Sequence, residues 1–134
     1  MARRVIDTVI LIRHWWDCWK KASHPRTSAD AENWGRALIK IRNSDLIVSP
    51  VYIEFVAGVT KGEQLPLARS FLAMFKVLDD WNILPKDLLE ACRRAERIPK
   101  TGDKRQLGDC LISSIAKRFR CEVDTLDKRI PRGF

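Results

Sequence analysis

An α/β fold with a mainly parallel central sheet is the class this chain predicts. Two observations predict it. Short strand-like segments at Val5-Ile6, Leu46-Ile47-Val48 and Cys121 to Thr125 alternate with longer segments whose apolar residues recur at helical spacing. The first of them has a nearly continuous apolar centre, as expected of a strand in a parallel sheet.

Each element follows in turn. Arg3 to Asp7 predicts a first strand, and Asp7 or Thr8 caps the helix after it, on which Ile12, Trp15, Trp16 and Trp19 recur at helical spacing. Ser23 to Arg26 is a break. Asp30 to Ile41 predicts a second helix with Trp34, Leu38 and Ile41 on one face, and Leu46 to Val48 a second strand. Ser49-Pro50 signals a helix start, with serine as N-cap and proline in the first turn, and that helix runs to Val59 before Lys61-Gly62. Pro66 to Leu78 predicts a fourth helix, Trp81 to Leu84 a short strand, and Pro85 opens a helix to Ile98. Pro99 to Asp103 is a loop. Leu107 to Phe119 predicts a helix with Leu111, Ile112, Ile115, Ala116 and Phe119 inward, and Cys121 to Thr125 the last strand, with a loose tail after Arg129.

A length of 134 residues, without repeats, low-complexity tracts or a linker, predicts one domain spanning 1–134. Its 46% hydrophobic content suffices for a core and argues against disorder. A net charge of +8 favours polyanions such as RNA or DNA, or an acidic protein. Cys18, Cys92, Cys110 and Cys121 form no C-x-x-C pair; three lie in apolar surroundings and read as small hydrophobes. This usage predicts a reducing, cytoplasmic setting. No signal peptide or membrane-spanning run is expected, because Asp7 and then Arg13-His14 interrupt the first apolar stretch. No Ser-His-Asp order, P-loop or dinucleotide glycine pattern is present.

Four acidic residues stand where apolar segments begin or end: Asp7, Glu54, Asp109 and Asp127. Acids in such places are costly unless something offsets their desolvation, and a divalent cation with oxygen ligands does so. Sites in α/β sheets form beyond the carboxyl ends of the strands. Asp7 and Asp127 follow strands, and Glu54 and Asp109 lie near the starts of helices feeding that edge. Asp109 shares a helix face with Ile112 and Ala116. The pattern points to carboxylates that converge on Mg2+ or Mn2+, as in nucleases that cut phosphodiesters.

The chain resembles the PIN-domain ribonucleases, and within them the VapC-type toxins of toxin–antitoxin pairs. The residues that carry the resemblance are Val5-Ile6-Asp7-Thr8, Ser49-Pro50-Val51-Tyr52-Ile53-Glu54, Gly102 with Leu107 to Ala116, and Asp124-Thr125-Leu126-Asp127. The resemblance implies a three-layer α/β/α PIN-like domain and Mg2+- or Mn2+-dependent cleavage of RNA. It makes Asp7, Glu54, Asp109 and Asp127 the acidic quartet, with Asp7 and Asp109 as the most constant metal ligands and Thr125 as a supporting hydroxyl. It also implies a homodimer inhibited by an antitoxin protein; no membrane partner is expected, since no apolar run is long enough to span one. The chain departs from the pattern at Val9, where many members carry Asn or Ser, and lacks the Phe common after the last acid. The alternatives are a non-catalytic PIN-like RNA- or protein-binding module, and an RNA-processing nuclease that is not a toxin.

Plainer expectations stand beside these. Glu63, Asp79, Asp80, Asp87 and Glu90 read as solvated acids, and Asp103 and Asp124 as peripheral to the site. Two basic groups are candidates for holding an RNA backbone: Arg93, Arg94, Arg97, Lys100, Lys104 and Arg105, and then Lys117, Arg118, Arg120, Lys128, Arg129 and Arg132. Of Trp15, Trp16 and Trp19, two are expected inside and one partly exposed, and His14 and His24 are assigned no chemistry.

Overall fold

The computed structural model describes residues 3–23, 26–59, 62–97 and 105–126. Among them, four strands alternate with six helices: β1 Arg4–Ile6, α1 Thr8–Lys21, α2 Ser28–Arg42, β2 Leu46–Ile47, α3 Ser49–Val59, α4 Leu65–Leu72, β3 Lys76–Val77, α5 Pro85–Glu96, α6 Arg105–Arg118 and β4 Glu122–Asp124. A single 3-10 turn, Gly62–Gln64, precedes α4. The strands form one sheet in the order β3-β2-β1-β4, and every pairing is parallel. Val5 stands opposite both Leu46 and Val123, and Ile6 opposite Asp124.

This order fixes the layers. The steps from β1 to β2 and on to β3 move one way across the sheet, so right-handed crossovers put α1 to α4 on one face. The return from β3 to β4 passes β1 and carries α5 and α6 to the other face. The result is the three-layer α/β/α arrangement, with the earliest strand central. The core between the layers joins Val5, Ile6, Ile47 and Val123 from the sheet to Leu11, Trp15, Phe55, Phe71, Ile112 and Ile115 from the helices. Trp15 lies at its centre, with Phe71, Trp34, Phe55 and Trp19 at centroid distances of 5.3 to 5.7 Å. Trp15 is fully buried, while Trp16 and Trp19 are both half-buried against the core.

Local chemistry sets the helix boundaries. Thr27 and Asp30 cap α2 reciprocally: Asp30 N donates to Thr27 Oγ1 at 3.2 Å and Thr27 N to Asp30 Oδ2 at 2.9 Å. Asn43, in the left-handed region at φ 55°, ends it. No helix among the described residues is long and apolar enough to cross a membrane.

Four expectations differ from the structure. The helix expected over Pro66 to Leu78 stops at Leu72, and Lys76–Val77 becomes the edge strand β3. Its backbone completes the open side of β2, with Lys76 N donating to Asp45 O at 2.7 Å and Leu78 N to Ile47 O at 2.8 Å. A run such as Phe75-Lys76-Val77-Leu78 fits either period, and sheet pairing decides it. Trp81 to Leu84 is no strand, since Asp80 and Trp81 both have positive φ in a turn. Ile41 is 69% exposed, because the last turn of α2 runs past the core. Ser49 does not spend its hydroxyl on capping α3 but donates it to Asp79 Oδ2 at 2.6 Å.

Candidate active site

The carboxyl edge of the sheet is built around Asp7. This residue leaves β1 and enters α1, and only 1% of it is exposed. Its backbone N–H donates to Asp124 O at 2.9 Å, which ties the end of β1 to the end of β4. Its Oδ1 accepts from Thr8 N at 2.8 Å, so the carboxylate caps α1 at the positive end of the helix dipole. Its Oδ2 accepts from Thr125 Oγ1 at 2.7 Å. These bonds orient the carboxylate.

Glu54 approaches from α3. Thr8 Oγ1 donates to Glu54 Oε1 at 3.1 Å, so one threonine touches both acids, by its amide and by its hydroxyl. Burial pushes the Glu54 carboxyl up from its ordinary range; the Thr8 hydroxyl opposes this, and the negative field of Asp7 adds to it. Gly108 on α6 faces the same carboxylate. A Cβ there would lie 3.0 Å from Glu54 Oε2, so the absence of a side chain makes room for the acid. Half-buried Asp109 is the next residue on α6.

The structure therefore brings Asp7, Glu54 and Thr125 into one bonded chain through Thr8, and sets Asp109 beside the glycine that Glu54 rests on. Asp127 lies outside the described residues, as do Asp103, Lys100, Lys104, Lys128, Arg129, Arg132 and His24. Among the described residues, no three Asp, Glu, His or Cys side chains group closely enough to hold a metal ion. The donors that do gather suit a hard dication in kind: paired carboxylates, steadied by hydroxyls and an amide.

The PIN domain family matches residues 4–133. The chain belongs to the PIN domain family. No curated protein matches it, and no solved structure does. PIN domains are in general metal-dependent nucleases, which suggests a nuclease here.

Several charged residues of this PIN domain do other work than their sequence suggests. Asp79 is 3% exposed and accepts both Ser49 N, at 2.8 Å, and Ser49 Oγ, so it pins the start of α3 and is not a solvated acid. Asp87 is also buried. It accepts Leu84 N at 2.9 Å and Arg118 Nε at 2.9 Å, locking α5 to α6. Glu90 gathers Lys117, Arg93 and Arg94, and the Lys117 ammonium beside it holds its carboxyl below the usual range. Arg93, Arg94, Lys117 and Arg118 are thus paired with α5 acids. Asp124 turns its side chain to Arg42 at 3.6 Å. His14 meets Trp34 O at 2.8 Å and stacks on Phe71, and burial lowers its pKa. Cys110 and Cys121 are buried, Cys18 half-buried and Cys92 exposed, all as free thiols.

Thr8 and Gly108 are the site residues that sequence reasoning missed. Thr8 carried a signal, a hydroxyl directly after an acid at a helix start, but its second bond spans 46 positions. Gly108 carried one too, as a glycine inside a helix, where it costs stability unless something needs the space.

Proposed function

We infer that this PIN domain is a divalent-metal-dependent endoribonuclease, centred on Asp7, Glu54, Asp109 and Asp127, and that it serves as the toxin of a toxin–antitoxin pair. The observation that carries the nuclease reading is the buried carboxylate of Asp7, held by Thr8 N and Thr125 Oγ1 and joined through Thr8 to a second carboxylate whose ionisation burial disfavours. Two acids kept close on a dry edge repel each other when both are charged, and a dication relieves that repulsion.

Asp7, Glu54 and Asp109, with Asp127, would hold Mg2+ or Mn2+. When bound, the ion supplies a water of lowered pKa and charge stabilisation at the phosphate. Thr125 and the Thr8 amide fix the direction of the Asp7 oxygens, and the Thr8 hydroxyl fixes Glu54. Buried Val5, Ile6, Ile112 and Ile115 exclude water from behind the acids. No serine, cysteine or histidine nucleophile is required.

RNA as substrate is supported by the net charge of +8 and by the resemblance to PIN-domain ribonucleases. The toxin role is supported by the resemblance to VapC-type toxins. Exposed Leu88 and Leu89 on α5 support a protein contact, with a second copy or with an antitoxin. A second reading, a non-catalytic RNA- or protein-binding module, rests on Val9, which stands where many PIN domains carry Asn or Ser.

One experiment separates the two. The purified chain is incubated with structured RNA and Mn2+, with and without chelator, beside Asp7→Asn and Asp109→Asn. Chelator-sensitive cleavage that both variants lose supports the nuclease. Full activity in both variants removes the assignment. Growth arrest on expression, relieved by a protein encoded beside it, supports the toxin role.

A further inference from the structure

We propose that Trp81 is a stacking platform for an unpaired base of the RNA strand, and so a substrate-positioning residue outside the acidic centre. The proposal rests on the nuclease reading above and says where the strand runs.

Position comes first. Trp81 lies in the turn after β3, at the carboxyl edge of the sheet, the edge that also carries Asp7 and Thr125. β3 is two strands from β1, which places the turn roughly 10 Å along that edge from the end of β1. The first two turns of α3 span the interval. Ser49 donates to Asp79 at one side, Tyr52 lies edge-on to the Trp81 ring at 4.9 Å and 69°, and Glu54 meets Thr8 at the other side. One rigid element thus holds both the indole and an acid of the centre.

Exposure comes second. Trp81 is 54% exposed, although Phe75 and Leu78 just before it are buried. Among the described residues Tyr52 is its one aromatic neighbour, and an edge-on contact leaves ring surface open to solvent.

Backbone strain comes third. Asp80 and Trp81 hold φ of 48° and 64°, a region that costs free energy for residues other than glycine. A lattice of bonds enforces it: Asp80 N to Val77 O at 3.1 Å, Asn82 N to Asp79 O at 2.8 Å, Asn82 Nδ2 to Asp80 O at 3.1 Å, and Arg118 Nη2 to Asn82 O at 2.9 Å. The turn is fixed from several sides, and what it displays is an indole facing water. Strain held in this way clusters at functional sites.

The occupant follows from charge. A chain of net charge +8 draws polyanions, and a polyanion with flat apolar faces is a single-stranded nucleic acid. Stacking on tryptophan tolerates any base, so Trp81 adds affinity and strand direction but little sequence preference.

The test uses the full chain and a fluorescein-labelled single-stranded oligoribonucleotide without secondary structure. Binding is measured by anisotropy in Asp109→Asn, and cleavage in the otherwise unaltered protein with Mn2+. Trp81→Ala is expected to weaken binding and raise KM roughly ten-fold with kcat held, and Trp81→Phe to restore most of the loss. Trp81→Gly relieves the positive φ, so it keeps the fold while removing the ring. Equal affinity for the oligonucleotide in the parent and Trp81→Gly overturns the proposal. So does a change of oligomeric state with RNA affinity unchanged, which makes Trp81 a protein contact. RNA binding that depends on Trp81 in a chain that cleaves nothing sinks the nuclease reading and leaves the platform standing.

Discussion

Thr125 Oγ1 donates a 2.7 Å hydrogen bond to Asp7 Oδ2 across 118 positions of sequence. Both residues are buried, so the bond fixes the rotamer of a carboxylate that has little solvent to turn into. Thr125→Val keeps the shape and removes the donor. It should destabilise the fold by about 1 kcal/mol, since a buried hydrogen bond to a charged acceptor is lost. It should also lower Mn2+-dependent cleavage roughly ten- to hundredfold, as expected when a ligand loses its orienting partner. Thr125→Ser should recover most of both. Urea unfolding and single-turnover cleavage of the three proteins check this.

The raised pKa of Glu54 makes a prediction with a definite sign. An acid whose folded pKa lies above its unfolded value binds more protons folded than unfolded. Its contribution is fully present below the ordinary carboxylate pKa and is lost as pH rises through the raised value. Glu54→Gln should therefore stabilise the metal-free protein at pH 8 and lose that advantage towards pH 4. Mn2+ should raise the Tm of the parent more than that of the variant. Thermal melts at both pH values, with and without Mn2+, check this. A variant no more stable than the parent at pH 8 argues against the burial of this charge.

Gly108 separates stability from activity. Alanine in a helix interior is favoured over glycine by about 1 kcal/mol. The new Cβ would meet Glu54 Oε2 at 3.0 Å, and the end of a glutamate can shift. Gly108→Ala should leave Tm equal or higher while cleavage falls at least about ten-fold, a loss of about 1.4 kcal/mol in the barrier. Unchanged cleavage would mean that Glu54 has no fixed position to lose.

Arg118 and Asp87 hold α6 against α5. Arg118→Met leaves the buried Asp87 charge without its partner and should cost about 2–3 kcal/mol, less than for a fully buried pair because Arg118 is partly exposed. Adding Asp87→Leu should return part of the loss, since the orphaned charge is then gone. A double-mutant cycle by urea denaturation reads the coupling directly.

The regular part of the fold was legible because its elements are periodic and well punctuated. β1 and β2 centre on apolar pairs, Val5-Ile6 and Leu46-Ile47, and α1, α2, α3, α5 and α6 carry apolar stripes or clear starts such as Pro85. β3 was not legible. Two residues have no period, and their state is set by Asp45 and Ile47, about 30 positions earlier. Asp7 and Glu54, which the structure joins through Thr8, could be named from sequence, since an acid beside an apolar run is locally conspicuous. Their bonding could not, because Thr8 serves Asp7 locally and Glu54 across the fold. Arg118 and Lys117 looked like free cations for the same reason: their counterions, Asp87 and Glu90, lie 31 and 27 residues away.

The placement of β1 between β2 and β4 bears on when the protein can act. β1, like β2, is flanked on both sides, and its second flank comes only with residues 122–124, more than 110 positions later. Until Thr125 has emerged, Asp7 lacks its hydroxyl partner and β1 keeps an open edge. A nascent chain therefore completes the bonding around Asp7 only after residue 125 has been made.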